Sequence, residues 1–372
     1  MKEKINTLTS LRFFAAAFIV VGHGGNLPGF ESFRFQGFNL NNAVSFFFVL
    51  SGFIMSLSYY GMDIKRNFRH FITARFSRIY PAHFFMFIVY FCVFGPNIFH
   101  EGAGTYTPVA LTNILLLQSW VPFAQYFFSY NAVSWSISTE FAFYLFFPLL
   151  LLTSRKYGAG WLLLPLLLTA AVLGGAVVMD LPQSSADGGV TSTGLLYISP
   201  LSRLAEFSFG MMMYAVFLRL KTFRLSVTTA TCIEIFILAV MVFSFIALTA
   251  CGTDLKGTPL DAFGYWLSFA GSFICIGLMI LVMARQEGHI SSLLKSRGLV
   301  YLGEISFSLY MCHRLILALA YAFFPGVAKE NPVTGYMSYW IISLLLSAIM
   351  YHFIESPGRR KIRKILSPGY SN

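Results

Sequence analysis

Apolar runs of about 17 to 25 residues recur along the whole chain, each closed by a short polar or basic segment, and a helix of that length crosses a hydrocarbon core of about 30 Å. The pattern predicts ten spans, at 8–26, 42–60, 80–99, 133–152, 160–179, 199–218, 226–249, 263–284, 299–323 and 336–354. A shorter apolar piece, ALTNILLLQSW at 109–119, falls short of a crossing and is expected at the surface or re-entering the membrane. No run alternates as a barrel strand does, and backbone in lipid must satisfy its own hydrogen bonds. The expected fold class is therefore all-α, a polytopic integral membrane protein with about ten transmembrane helices.

Composition supports this reading. The 372 residues are 57% hydrophobic and 11% charged, with a mean hydropathy of +0.69, whereas a soluble domain is roughly one quarter charged. No polar, Pro- or Ser-rich linker divides the chain, so residues 1–372 are expected to form a single membrane domain, with 355–372 as a basic cytoplasmic tail.

Charge sets the orientation. One side collects Lys2, Lys4 and Arg12, the cluster from Lys65 to Arg78, Arg155 and Lys156, Arg219 to Arg224, Arg285 to Arg297, and the run from Arg359 to Lys364. The opposite loops receive only Arg34, Lys256 and Lys329. Nearly all of the net charge of +11 thus falls on one face, which the positive-inside rule makes cytoplasmic. Both termini are expected inside, in a multi-pass protein of the cell's inner (cytoplasmic) membrane. Topology and attraction to anionic lipid account for the basic excess, so no nucleic-acid partner is inferred. The first apolar run lacks an A-x-A cleavage site and reads as a retained helix. The five cysteines form no C-x-x-C pair, which argues against a zinc site and a disulfide framework.

Ionisable residues inside lipid call for a functional explanation. In LRFFAAAFIVVGH, Arg12 and His23 stand eleven positions apart, about 16 Å and three turns, hence on one face. Measured from cytoplasmic basic markers at about 1.5 Å per residue, Glu140 lies about 22 Å above Arg155, Arg203 about 24 Å and Glu206 about 20 Å above Arg219, and His313 about 24 Å above Arg297. Five such groups, His23 included, at one depth should converge on an interior, wet cavity. Arg203 and Glu206, at i and i+3, are expected to neutralise each other, which leaves His23 and Glu140 as the chemical pair. Below them Arg75 and Arg78 in RFSRIYP are helical neighbours. Two adjacent guanidinium forks suit a phosphate or carboxylate, and Pro81 is expected where the chain bends into the third span.

Taken in order, the Arg-x10-His of Arg12 and His23, FFFVLSGFIM at 46–55, the R-x-x-R of Arg75 and Arg78, NAVSWSISTEFAFYLFFPLL with Trp135, Ser136 and Glu140, ISFSLYMCH at 305–313 and the closing FIESPGRR make the chain resemble the membrane-bound acyltransferase-3 family over almost its whole length. The resemblance implies a ten-helix O-acyltransferase of glycans and related hydroxyl compounds. Acyl-coenzyme A, most simply acetyl-coenzyme A, would enter from the cytoplasm as co-substrate, with no permanently bound cofactor and no metal. The acyl group would end on a hydroxyl of an extracytoplasmic or lipid-linked saccharide. It implies further that His23 is catalytic, that Arg12, Arg75 and Arg78 serve the donor, and that Glu140 belongs to the active-site wall. Trp135, Ser136, Arg203, Glu206, Ser306 and His313 are candidates for the cavity and the acceptor.

Two routes stay open: His23 as general base on the hydroxyl, oriented by Glu140, or His23 as an acyl carrier between the two sides. No G-x-S-x-G elbow, P-loop, dinucleotide fingerprint or H-E-x-x-H is present. Ser306 and Ser308 fall on a helix without an elbow turn and read as structural or cavity-lining. The alternative from another class is a transporter or flippase of a lipid-linked glycan without acyl transfer, although no inverted repeat relates the two halves. The aromatic outward stretch 100–132 is expected either to stack sugars or to form an interfacial belt. The absence of a hydrolase-like soluble block leaves transfer either completed by this chain or handed to separate glycan-assembly partners.

Overall fold

Helices form every long element of the computed structural model, which describes residues 4–25, 29–95, 106–185, 188–324 and 330–366. They are α1 (Asn6–Gly24), α2 (Asn42–Tyr59), α3 (Phe68–Phe94), α4 (Tyr106–Ile114), α5 (Ala124–Phe127), α6 (Trp135–Tyr157), α7 (Leu163–Val178), α8 (Pro200–Leu220) and α9 (Val227–Asp254), followed by α10 (Asp261–Ala270), α11 (Phe273–Ala284), α12 (His289–Leu294), α13 (Arg297–Phe323), α14 (Pro332–Met350) and α15 (Ser356–Leu366). No strand occurs among the described residues. Lys2, Lys329 and the start of the 100–132 stretch lie outside them.

Nine helical stretches among the described residues are long and apolar enough to cross a membrane. The expected spans 133–152 and 160–179 share the longest of these, Ala132–Val178, which turns at Gly158 between α6 and α7. Gly158 has φ +54°, a left-handed conformation that glycine adopts without a Cβ penalty. The span expected at 263–284 is broken at Gly271 and Ser272 into α10 and α11. The short apolar piece at 109–119 ends against the start of α6: Gln118 donates to the Ser134 carbonyl at 3.2 Å, and the Ser119 and Ser138 hydroxyls lie 2.7 Å apart.

Two differences from expectation concern the end expected to be cytoplasmic. α3 begins at Phe68, twelve residues before the expected span, and runs on through Pro81 instead of bending into the membrane there. Its Pro81 flank is covered by α15, where a Cβ on Gly358 would meet the Pro81 ring at 2.7 Å. Arg363 Nε donates to Ser77 Oγ at 3.3 Å, so the sequence expected as a basic tail is, from Ser356 to Leu366, a helix laid along α3.

The closest helix pairs are those in which glycine lets backbones meet, as membrane interfaces favour. A Cβ at Gly52 of α2 would overlap the Phe207 carbonyl, and one at Gly210 of α8 would overlap the Val49 carbonyl. Gly303 of α13 sits in the same way on the Thr9 carbonyl of α1. Gly52→Ala or Gly210→Ala should therefore force α2 and α8 apart and cost about 3 kcal/mol. The check is unfolding of the purified variants in detergent; an unchanged midpoint would show that the two backbones are not in contact.

Behind this interface Arg203 is fully buried. It forms a 3.0 Å ion pair with Glu206, and its Nη2 donates to Ser45 Oγ at 3.0 Å. Its guanidinium lies 5.1, 5.6 and 4.9 Å from the ring centroids of Phe48, Tyr197 and Phe269. The neutralising pair expected from the i, i+3 spacing is present, and it joins α8 to α2 and α10.

Candidate active site

A cavity of about 470 Å³ opens among α1, α2, α3, α6, α13 and the chain around α15. Arg12 reaches it from α1, Arg75 and Arg78 from α3, and Arg359 from α15. The acidic lining comes from Glu140 of α6, Glu304 of α13 and Glu355. Arg75 is pinned: its Nε and Nη2 donate to Tyr59 Oη at 3.2 and 2.9 Å, and its guanidinium sits 4.8 Å from that ring's centroid. Arg12, Arg78 and Arg359 are half-buried, and none forms an ion pair or hydrogen bond among the described residues. Three guanidinium groups sharing one cavity, with no ion pair or hydrogen bond among the described residues, form a site suited to a polyanion.

The upper wall is polar. Glu140 Oε1 accepts from Tyr144 Oη at 2.6 Å and from Ser51 Oγ at 3.2 Å. Ser136 Oγ and Tyr310 Oη lie 2.7 Å apart, and Tyr310 also donates to the Val133 carbonyl at 2.9 Å. Trp135, next to Ser136, points away and packs on Tyr197 and Phe48 with ring centroids 4.7 and 6.3 Å apart. Ser306 Oγ donates to the Gly303 carbonyl of its own helix at 2.8 Å and does not line the cavity. Ser308 donates to Glu355 Oε2 at 2.7 Å and so fixes that carboxylate.

His23 and His313 lie beyond the cavity. His23 Nδ1 is 2.8 Å from His313 Nε2, with the two rings 8° from parallel and centroids 5.1 Å apart. Tyr310 adjoins both: it lines the cavity, and its ring lies 6.0 Å from that of His313. The chemical pair expected from depth alone, His23 with Glu140, is not formed. Glu140 bonds to Ser51 and Tyr144, and the partner of His23 is His313. The reason is lateral: α1 packs directly on α13 at Gly303, whereas Glu140 faces α2 across the cavity. Arg203 and Glu206, at similar depth, face each other behind α2 and do not reach the cavity.

Tyr144, Tyr310, Glu355 and Arg359 escaped the reading of the sequence. Tyr144 is one turn from Glu140, Tyr310 is three residues before His313, and Glu355 and Arg359 are an i, i+4 pair inside FIESPGRR, so each adjoins a motif already singled out. Arg314, directly after His313, was also passed over.

Comparison with known proteins assigns the chain to a family. A family profile described as "Acyltransferase domain" matches residues 5–352. The chain belongs to the acyltransferase-3 family. Relatives include the acyltransferase MdmB of Streptomyces mycarofaciens, 25% identical over 96% of this chain and 94% of that protein. They also include YrhL of Bacillus subtilis, named for peptidoglycan O-acetylation (25% identical; 95% of this chain, 54% of that protein), and the O-acetyltransferase OatA of Staphylococcus aureus (23% identical; 95% and 57%). This acyltransferase-3 chain thus spans about half the length of the latter two. No solved structure matches it. Among the described residues, no three His, Cys, Asp or Glu side chains come together in a way that could hold a metal ion.

Proposed function

We propose that the protein is a multi-pass O-acyltransferase of the cytoplasmic membrane, with both termini inside. It moves an acyl group, acetyl in the simplest case, from cytoplasmic acyl-coenzyme A to a hydroxyl of an extracytoplasmic or lipid-linked saccharide. The observation that carries the reading is the set of guanidinium groups, Arg12, Arg78 and Arg359, that share one cavity and form no ion pair or hydrogen bond among the described residues. Phosphates of the donor would meet these cations and Arg75, and the pantetheine arm would extend past Ser136 and Tyr310 toward the imidazole.

In the general-base route, His23 takes the hydroxyl proton as the oxygen attacks the thioester carbonyl. The new C–O bond forms, the C–S bond breaks, and the proton passes from His23 to the departing thiolate, so ester and free thiol leave and neutral His23 returns. In the carrier route Nε2 of His23 attacks the thioester carbonyl and the C–S bond breaks to release the thiolate, which takes a proton from water. The hydroxyl oxygen then attacks the acyl carbon, the C–N bond breaks, and the hydroxyl proton leaves to water as ester and neutral His23 form. Glu140, bonded to Tyr144 and Ser51, belongs to the wall of the donor passage. Membrane lipid surrounds the protein, the saccharide is its acceptor, and glycan-assembly proteins are candidate partners.

The test is label transfer from radiolabelled acetyl-coenzyme A to a saccharide acceptor by purified protein. Transfer that depends on His23 supports the reading. Glycan movement without label transfer, surviving His23→Ala, would replace it with transport. For the donor site, Arg78→Ala is expected to raise the donor KM about 10- to 100-fold while folding persists, since a charge-assisted hydrogen bond is worth about 1.5–3 kcal/mol and Arg78 gives up no protein partner. Arg75→Ala should show a similar KM and a lower melting point, because it also loses both bonds to Tyr59. Unchanged donor KM in both variants would remove these cations from the site.

A further inference from the structure

The imidazole pair carries an inference that rests on the proposed role of His23. We propose that His313 is a positioning residue for His23: it fixes the tautomer and ring orientation in which His23 presents its Nε2 lone pair to the reacting group.

The argument follows the protons. His313 is fully buried, and its Nδ1 lies 3.2 Å from the Leu309 carbonyl oxygen, which can only accept. Nδ1 of His313 therefore carries the N–H, and its Nε2 carries a lone pair. That lone pair faces His23 Nδ1 at 2.8 Å, so His23 donates from Nδ1. A neutral imidazole has one N–H, and Nε2 of His23 is left bare.

When Nε2 of His23 takes a proton or an acyl group, the Nδ1–H bond to His313 becomes charge-assisted and shortens its hold on the ring. His313 thus stabilises the charged intermediate as a carboxylate does in other acyl-transfer triads. A neutral imidazole performs this task without placing a second unpaired charge in the membrane interior. The carboxylate at similar depth, Glu140, is committed to Tyr144 and Ser51.

The test compares His313→Gln, His313→Asn and His313→Ala in the full-length purified protein, with labelled acetyl-coenzyme A and His23→Ala as reference. Glutamine places its amide where Nε2 stood, facing His23; asparagine places it where Nδ1 stood, facing Leu309. The alanine and asparagine variants should lose about 100-fold in kcat with donor KM within about threefold of the parent. Glutamine should recover kcat to within about tenfold of it. Asparagine outperforming glutamine, kcat unchanged in the alanine variant, or kcat and donor affinity falling together would overturn the assignment. Should none of the variants insert, ring-15N-labelled unsubstituted protein decides: a nitrogen–nitrogen coupling across a hydrogen bond between two imidazoles is expected, and its absence contradicts the proposal. Full transfer by His23→Ala would sink the role of His23 itself. An inactive His23→Ala beside an unimpaired His313→Ala would sink this inference alone.

Discussion

His23→Ala should abolish acyl transfer, lowering kcat by about 10³-fold or more, since a positioned general base contributes about 10²–10⁴ and loss of a covalent carrier leaves no path at all. The protein should still insert and fold. The His23 ring is half-buried, and the only side-chain hydrogen bond it makes among the described residues is to His313. α1 is held elsewhere, by Thr7 on the Met283 carbonyl at 2.8 Å, by Ser10 on the Leu294 carbonyl at 2.5 Å, and by the Thr9–Gly303 backbone contact. The measurement is label transfer per mole of folded protein, together with acyl–thiol exchange from donor to free coenzyme A. Exchange that disappears with transfer indicates the carrier route, whereas exchange absent in the parent as well indicates the base. Transfer at the parental rate would take His23 out of the chemistry.

Arg203→Ala should be the most destabilising single change, by about 3–5 kcal/mol, because it leaves the Glu206 carboxylate buried with no cation 3.0 Å away. It also removes the donor to Ser45 and the cation held among Phe48, Tyr197 and Phe269, so α2, α8 and α10 lose a shared fastening. Replacing both charges, Arg203→Met with Glu206→Leu, should recover most of the loss, since removing a buried pair together is far cheaper than orphaning one member. Thermal unfolding in detergent checks the stability. Donor KM of the folded fraction should stay at the parental value, because neither residue lines the cavity. A stable Arg203→Ala with impaired donor binding would reverse the assignment.

These two residues show which parts of the site the sequence expresses. Height along a helix is legible, because each residue adds about 1.5 Å, and residues placed at one depth by that rule include the His23 and His313 that meet in the structure. Which of them face each other is not legible, since that depends on how helices rotate and pack. The decisive contacts are single glycines, Gly52, Gly210 and Gly303, that look like any others in a chain with 30 of them. The spans themselves were legible from hydrophobic runs, yet α3 extends below its apolar part. Its first turns carry Arg69, Arg75 and Arg78, and burial of Arg75 against Tyr59 is a tertiary event. The same holds for α15: a run of basic residues reads as a solvated tail until Gly358 meets Pro81 and Arg359 turns into the cavity.

The central claim, that the arginine-lined cavity admits the donor from the cytoplasm and the acyl group leaves on the other side, is tested most directly in sealed, oriented membrane vesicles. Labelled acetyl-coenzyme A is supplied to one face only, and labelled saccharide is collected from the opposite face. The account predicts transfer when the donor is on the face bearing Arg12, Arg78 and Arg359, none when it is supplied to the other face, and loss of the signal in His23→Ala. Transfer from the opposite face, or label retained on the donor's own side, would contradict it.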